Sequence, residues 1–288
     1  MKNISLVNDV FTDQISVYDR GLSYGDGFFE TMFWKNVPKI NKNKVEFWDR
    51  HIKRIKKSCI LLDIKLPEDE VLFQYKEKIL SRAQENNYDS GILKIIITRG
   101  VGGRGYKYEK DMTPSIIFLV SPRPTLTKVI FKNGVEVIFC KKCITQNENL
   151  SGFKHLNRLD SVLSRSEWND PEIFEGIFID KKKNIIEGTM TNIFMLKKNI
   201  IYTPSINNCG IKGIMRQVII EKCKKLFRGV IIKKISKKEL ISSESIFLTN
   251  SILKVLPVKR IKNLEFEINK KIKRIINELQ DDTNLELK

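Results

Sequence analysis

The chain has 288 residues, of which 41% are hydrophobic and 30% charged, with 15 glycines and 8 prolines; that is a globular composition and excludes collagen-like and wholly disordered classes. At roughly 150 residues per domain the length predicts about two domains, which bury about three quarters of the unfolded surface without disulfide staples. The 52 Lys and Arg against 34 Asp and Glu leave a net charge of +18, which raises nucleic acid or an anionic surface as a partner.

Strand-like runs open the chain at ISLVN (4–8), GFFETMFW (27–34) and PKI (38–40), with the turn-rich DRGLSYGDG (19–27) before the second. Trp48, Ile52, Ile55, Cys59 and Leu62 then recur at helical spacing with His51 and Arg54 beside the stripe. Pro67 and the acidic residues 68–70 start a second helix through about Tyr88, because proline and carboxylates suit a first turn. ILKIIITR (92–99) and SIIFLV (115–120) read as buried strands. Pro122 and Pro124 mark an extended connector, giving a smaller domain over 1–122 and a larger one over 123–288.

The second half restarts with VIFKNGVEVIF (129–139), where Asn133-Gly134 predicts a hairpin turn. A polar loop leads to a helix from about His155 to Trp168, with Leu156, Leu159, Val162 and Leu163 expected on its core face. FEGIFI, NIIEG, NIFML and IIYTP form a meander of strands. A helix over about 213–227, strands VIIKKI and SIFLT, and a final helix carrying Ile268, Ile272, Ile275, Ile276 and Leu279 complete the chain. The fold class is α+β, two domains with mixed, largely antiparallel sheets and flanking helices.

The positive charge is spread along the chain among isoleucines and asparagines, and no nucleic-acid reading motif accompanies it; neither nucleic acid nor membrane is the expected partner, although a basic nucleic-acid-binding protein is the alternative from another class. No apolar run reaches the roughly 18 residues of a membrane span and residues 1–14 lack a signal-peptide core, so the expected location is cytoplasmic. Five scattered cysteines fit reduced thiols. Cys140 and Cys143 form a lone C-x-x-C with no second pair, and with only His51 and His155 no metal site is expected.

Residues 100–105 match G-x-G-x-x-G after a strand, but Pro114 leaves no room for the helix a dinucleotide needs. The alternatives are a mobile loop presenting Arg104 and Tyr106 to an anionic ligand, or a flexible connector. Lys154, where a polar loop enters a helix, would on its own be one surface lysine among many. Glu187 sits amid apolar neighbours, where an unpaired carboxylate is costly. Glycines 210 and 213 open a helix whose N–H groups suit an anion. Taken singly, the last two also read as turn chemistry and capping.

Together, in this order, these segments resemble the fold-type IV family of pyridoxal-phosphate enzymes. The resemblance runs from about Tyr18 to Pro257 through DRGLSYGDGFFET, HIKRI, TRGVGGRGY, GFKHLNRLDSVL, EGTMTNIF, GIKGIMRQ and LTNSILKVLPV. Within the family, GGRGY and the His155, Asn157 and Arg158 of KHLNRL are similar to the aminodeoxychorismate lyases. The resemblance implies a homodimer with pyridoxal 5′-phosphate between the two domains of each subunit. It implies that Lys154 bonds the cofactor aldehyde and is the catalytic amine, and that Glu187 pairs with the ring nitrogen. Arg54, the backbone of Ile214 and Met215, and Asn250 with Ser251 would bind the phosphate; the aminotransferase relatives usually carry Gly-Thr at the last position. Arg104 and Tyr106 would hold the substrate carboxylate. The implied reaction is conversion of 4-amino-4-deoxychorismate to 4-aminobenzoate and pyruvate for folate synthesis, with a branched-chain or D-amino-acid aminotransferase of the same fold as the alternative.

Overall fold

The structure is a computed structural model that describes residues 3–38, 42–124 and 128–281. Lys39 and Ile40 of the expected PKI strand lie outside the described residues. The chain divides into two compact units, Met1–Pro124 with Lys154–Asn157, and Thr125–Phe153 with Arg158–Lys288. The sequence-based division at 122 and 123 placed residues 154–157 in the second half; the backbone attaches them to the first.

The first unit contains β1 (Ile4–Val7), α1 (Arg20–Tyr24), β2 (Gly27–Val37), β3 (Lys42–Val45), α2 (Trp48–Leu62), α3 (Asp69–Glu85), β4 (Ser90–Thr98) and β5 (Ser115–Ser121). Its sheet has the order β1-β5-β4-β2-β3, with every adjacent pair antiparallel. α2 packs on β2 and α3 on β1 and β5. The helical stripe predicted from Trp48 to Leu62 buries Ile52, Ile55 and Cys59 against Phe28, Met32 and Trp34 of β2. Each such side chain contributes about 1.5–3 kcal/mol on removal from water. The stretch expected as turns holds one helical turn, α1, whose start is capped by Asp19 Oδ1 accepting from the Gly21 N–H at 2.8 Å.

The second unit contains α4 (Lys128–Asn133), β6 (Val135–Phe139), α5 (Leu159–Arg165), β7 (Ile173–Ile179), β8 (Asn184–Gly188), β9 (Asn192–Lys197), β10 (Ile200–Pro204) and α6 (Ile214–Leu226). There follow β11 (Gly229–Lys233), β12 (Ile235–Ser236), α7 (Lys237–Ile241), β13 (Ser245–Asn250), β14 (Lys254–Ile261), β15 (Leu264–Glu265) and α8 (Lys270–Asp281). The mixed sheet runs β11-β10-β9-β13-β14-β6-β7-β8-β12, with β15 beside β14. β10 with β11, β14 with β6, and β6 with β7 pair in parallel. β9 and β13 in its interior are buried at five successive positions each, as strands covered on both faces must be.

Two expectations fail in this unit. Residues 128–133 are helical, so Asn133-Gly134 makes no hairpin. Gly134 at φ 77° instead ends α4, donating its N–H to the Ile130 carbonyl at 3.0 Å. A left-handed glycine serves a helix end as readily as a hairpin, and burial of Phe131 on the α4 face decides between them. The helix expected from His155 starts only at Leu159, and it turns Leu159, Val162 and Leu163 outward, 73%, 62% and 50% exposed, while Leu156 is half-buried outside it. Asp160 sets this register: its Oδ2 and Oδ1 accept from the N–H and hydroxyl of Thr145 at 2.8 and 3.0 Å, and Ser164 takes the buried position.

Candidate active site

Residues 154–157 lie beside the start of β2. The Phe29 N–H donates to the Lys154 carbonyl and the Leu156 N–H to the Gly27 carbonyl, both at 3.0 Å, and Phe28 and His155 form an antiparallel bridge. This approach needs the glycine of the GDG triplet: a Cβ on Gly27 would stand 2.4 Å from the Ile97 carbonyl oxygen and 3.0 Å from Leu156. Lys154 is thereby fixed by its backbone, with Nζ 4.0 Å from the centre of the Phe29 ring.

Period two along β2 puts Glu30 on the same face as Phe28, Met32 and Trp34, toward α2. There the Arg54 guanidinium donates from Nε and Nη2 to Glu30 Oε1 and Oε2, each at 2.6 Å, and His51 Nδ1 meets Oε2 at 2.6 Å. Burial pushes the Glu30 carboxyl up, but the charges of Arg54 and His51 outweigh it and hold the pKa at about 2. Burial lowers the His51 pKa; Glu30 opposes this, and the charges of Arg54 and Lys154 reinforce it. The His51 ring is held with Nδ1 toward the Glu30 carboxylate. Its Nε2 is buried with no hydrogen-bond partner among the described residues.

In the second unit Glu187 is buried at the end of β8, and its Oε2 accepts from Asn192 Nδ2 at 3.1 Å and from the Ile211 N–H at 2.8 Å. Asn192 also donates to the Ile211 carbonyl at 2.8 Å, tying the β8–β9 hairpin to the loop that enters α6. Arg158 and Arg216 are both lowered by their own burial, and the Glu187 charge pulls each back up. The turn between Glu187 and Asn192 is shaped from below by Glu175 on β7. Its carboxylate accepts from the Gly176, Thr189 and Met190 N–H groups and the Thr189 and Thr191 hydroxyls. No side chain caps the start of α6, no acidic residue occupies its first turn, and the Ile214 and Met215 side chains are buried. Its first N–H groups form the positive end of a thirteen-residue helix.

Asn250 and Ser251 follow a different pattern. The Asn250 Oδ1 accepts from the N–H groups of Ile252 and Leu253 at 2.9 and 2.8 Å, and its Nδ2 donates to the Met190 carbonyl at 3.2 Å. Its amide therefore closes its own turn and joins it to the β8–β9 turn; Ser251 is half-buried within it. Arg104 and Tyr106 stand on an exposed loop of the first unit, Tyr106 being 86% exposed.

The structure thus gathers Arg54 with Lys154 in one unit and Glu187 with the α6 start in the other. Sequence reading missed Glu30, His51, Glu175 and Asn192. For the two glutamates a signal existed: a lone carboxylate inside an apolar strand, with His51 and Arg54 at i and i+3 as partners for Glu30.

These residues suit pyridoxal 5′-phosphate. A guanidinium and an uncapped helix start match a dianionic phosphate, a buried carboxylate matches a ring N–H, and a primary amine matches an aldehyde. Among the described residues no group of three or more His, Cys, Asp or Glu is placed to hold a metal, and no helix is long and apolar enough to cross a membrane.

The profile of the amino-transferase class IV family matches residues 27–261. An aminodeoxychorismate lyase of Vibrio harveyi is 27% identical over 278 residues, covering 96% of this chain and 98% of that protein. A D-alanine aminotransferase of Bacillus licheniformis is 28% identical over 249 residues, 86% of this chain and 83% of its own. Among solved structures, a 4-amino-4-deoxychorismate lyase from Pseudomonas aeruginosa superposes with a TM-score of 0.88 at 29% identity, covering 98% of this chain and all of that one.

Proposed function

The chain belongs to the amino-transferase class IV family, whose enzymes use pyridoxal 5′-phosphate, and we propose that within it this enzyme is an aminodeoxychorismate lyase, releasing 4-aminobenzoate and pyruvate from 4-amino-4-deoxychorismate. The observation that carries the reading is similarity along essentially the whole length of two lyases, joined to the exposed Arg104 between two glycines as a carboxylate receptor. The D-alanine aminotransferase likeness supports the second reading, an aminotransferase of D-amino or branched-chain amino acids.

When bound, the cofactor supplies an aldehyde that takes up the substrate amine and a protonated ring that withdraws electrons from the neighbouring carbon. Lys154 Nζ would hold the cofactor aldehyde and would act as the base that removes the proton from the ring carbon bearing the amine. The carbon–oxygen bond to the enolpyruvyl group breaks, the C–H electrons enter the aromatic ring, and Lys154 returns a proton so that enolpyruvate leaves as pyruvate. Glu187 keeps the proton on the ring nitrogen. Arg54 and the N–H groups of Ile214 and Met215 bind the phosphate, with Ser251 and the backbone of Asn250 alongside, since the Asn250 amide is committed to its own turn. Arg104 and Tyr106 hold the carboxylate. The reading includes a homodimer, supported by the outward Leu159, Val162 and Leu163, and a cytoplasmic location, supported by five free cysteines.

Incubation with 4-amino-4-deoxychorismate is expected to yield equal amounts of 4-aminobenzoate and pyruvate without an amino acceptor. Absence of both products, with conversion of the cofactor to its amine form by D-amino or branched-chain amino acids, would establish the aminotransferase instead.

A further inference from the structure

The loop from Arg99 to Ser115 carries Arg104 and Tyr106 outward, yet side chains from before it in sequence grip its backbone. Arg20, buried at the start of α1, donates from Nη1 to the Gly105 carbonyl at 2.9 Å and from Nη2 to the Tyr106 carbonyl at 3.2 Å. Its Nε donates to Asp26 Oδ2 at 2.9 Å. The Tyr24 hydroxyl accepts from the Gly105 N–H at 3.0 Å, and the Tyr24 ring lies under the Arg20 guanidinium at 4.7 Å and meets the Tyr106 ring edge-on at 5.5 Å.

The same Asp26 carboxylate accepts from Arg99 Nε at 2.8 Å and Nη2 at 3.0 Å. Arg99 stands 3.6 Å over the ring of Tyr108, whose hydroxyl donates to Asp63 Oδ2 at 3.2 Å. One carboxylate therefore orients two arginines, one at each flank of the exposed tip. A Gly-Gly-Arg-Gly run left alone would sample many backbone states, and a ligand captured by Arg104 would have to order it. Two charge-assisted hydrogen bonds to adjacent carbonyls do that ordering beforehand.

We propose that Arg20, oriented by Asp26, is a positioning residue that fixes the GGRGY loop and thereby sets the enzyme's affinity for a carboxylate-bearing substrate. The substrate part rests on the function proposed above; the clamp on the loop does not.

The test compares the wild-type holoenzyme with Arg20→Lys, whose ammonium lacks the planar fork that reaches two carbonyls and Asp26 together, and with Tyr24→Phe, which removes one hydroxyl acceptor. The readouts are tryptic cleavage after Arg104 and Lys107, followed by fragment mass, and steady-state kinetics with 4-amino-4-deoxychorismate. Arg20→Lys is expected to be cut in the loop about tenfold faster and to raise KM about tenfold, the scale of one lost charge-assisted hydrogen bond. Its kcat should stay within about threefold, since Arg20 touches no reacting atom, and its visible cofactor absorbance should be unchanged. Tyr24→Phe should move both readouts the same way by about threefold, and decides the matter if Arg20→Lys does not fold. Wild-type cleavage and KM in the variant, or a fall in kcat at constant KM, would overturn the proposal. If the wild type makes no 4-aminobenzoate, the lyase reading fails, and the cleavage ratio alone then upholds or overturns the clamp.

Discussion

Strands β2 and β7 each carry a glutamate at a fully buried position, and their surroundings drive the two carboxyls in opposite directions. Glu30 meets the Arg54 fork and the His51 ring, and its pKa falls to about 2. Glu175 accepts five hydrogen bonds, all from uncharged backbone and hydroxyl donors, yet burial leaves its pKa raised. At Glu175 burial outweighs the hydrogen bonds, each of which lowers the pKa, whereas at Glu30 the charges of Arg54 and His51 add to their hydrogen bonds and overcome burial. The two glutamates accordingly serve different ends. Glu30 aims a guanidinium, whereas Glu175 folds a turn so that Glu187 and Asn192 flank it.

The largest test of the contrast removes a cation from the first unit. Lys154→Ala should cost at least about 10⁴-fold in turnover if, as proposed, one amine serves as both nucleophile and proton carrier. The fold should survive, since the 154–157 segment is held through backbone bonds. The charge of Lys154 also helps to depress the His51 pKa, so the variant should titrate His51 at higher pH by NMR. An unmoved His51 would show that the charges of this unit are not coupled, and undiminished turnover would take Lys154 out of the chemistry.

Next in size is Glu30→Ala. It removes one partner of a buried charge pair, a change that destabilises by about 3–5 kcal/mol, measurable as a fall in the urea midpoint. Cofactor affinity should weaken in the same variant if Arg54 binds the phosphate. A loss below about 1 kcal/mol would mean that solvent, rather than Glu30, neutralises Arg54.

How much of this was legible before the structure depends on the kind of signal each residue leaves. The stripe from Trp48 to Cys59 could be read because burial repeats at the helical period, and Gly213 because an uncapped helix start follows it. Leu159, Val162 and Leu163 carry the same period, yet Asp160 and Ser164 hold the opposite face inward. Periodicity reports a stripe and is silent on which surface meets it. Asn250 lies in a quoted motif and ends β13, but its amide closes the turn that follows, a local competition that composition does not reveal. Arg20, Asp26 and Arg99 were within quoted motifs, but the hydrogen bonds of Arg20 to carbonyls about 85 residues away exist only in three dimensions.

Acid titration sharpens the comparison through its sign. The Glu30 carboxyl lies at about 2 against an ordinary 4.5, so the folded state binds the proton more weakly than the unfolded chain. Its contribution is present above about pH 4.5 and is lost as the pH falls through about 2, on the order of 3 kcal/mol in all. Chemical denaturation from pH 5 to pH 2 should show this loss in the wild type and a flatter profile in Glu30→Gln. Parallel profiles would remove Glu30 from the acid response.

The smallest effect belongs to the other glutamate and carries the opposite slope. Because burial raises the Glu175 pKa above its ordinary 4.5, the folded state holds that proton more tightly, and the stability this group contributes declines as the pH rises from 4.5 through the folded-state value. Glu175→Gln keeps one carbonyl acceptor but turns an amide toward donors that need an acceptor, so it should cost about 1–2 kcal/mol near pH 4. That difference from the wild type should then narrow as the pH rises, since only the wild type has to release a proton into a buried site. Urea midpoints of the two proteins between pH 4 and pH 8 give the difference directly, with the titrations common to both cancelling. A gap that widens with pH would place Glu175 alongside Glu30 as a carboxylate stabilised in its charged form, and neutral donors would then suffice to hold a buried charge in this sheet.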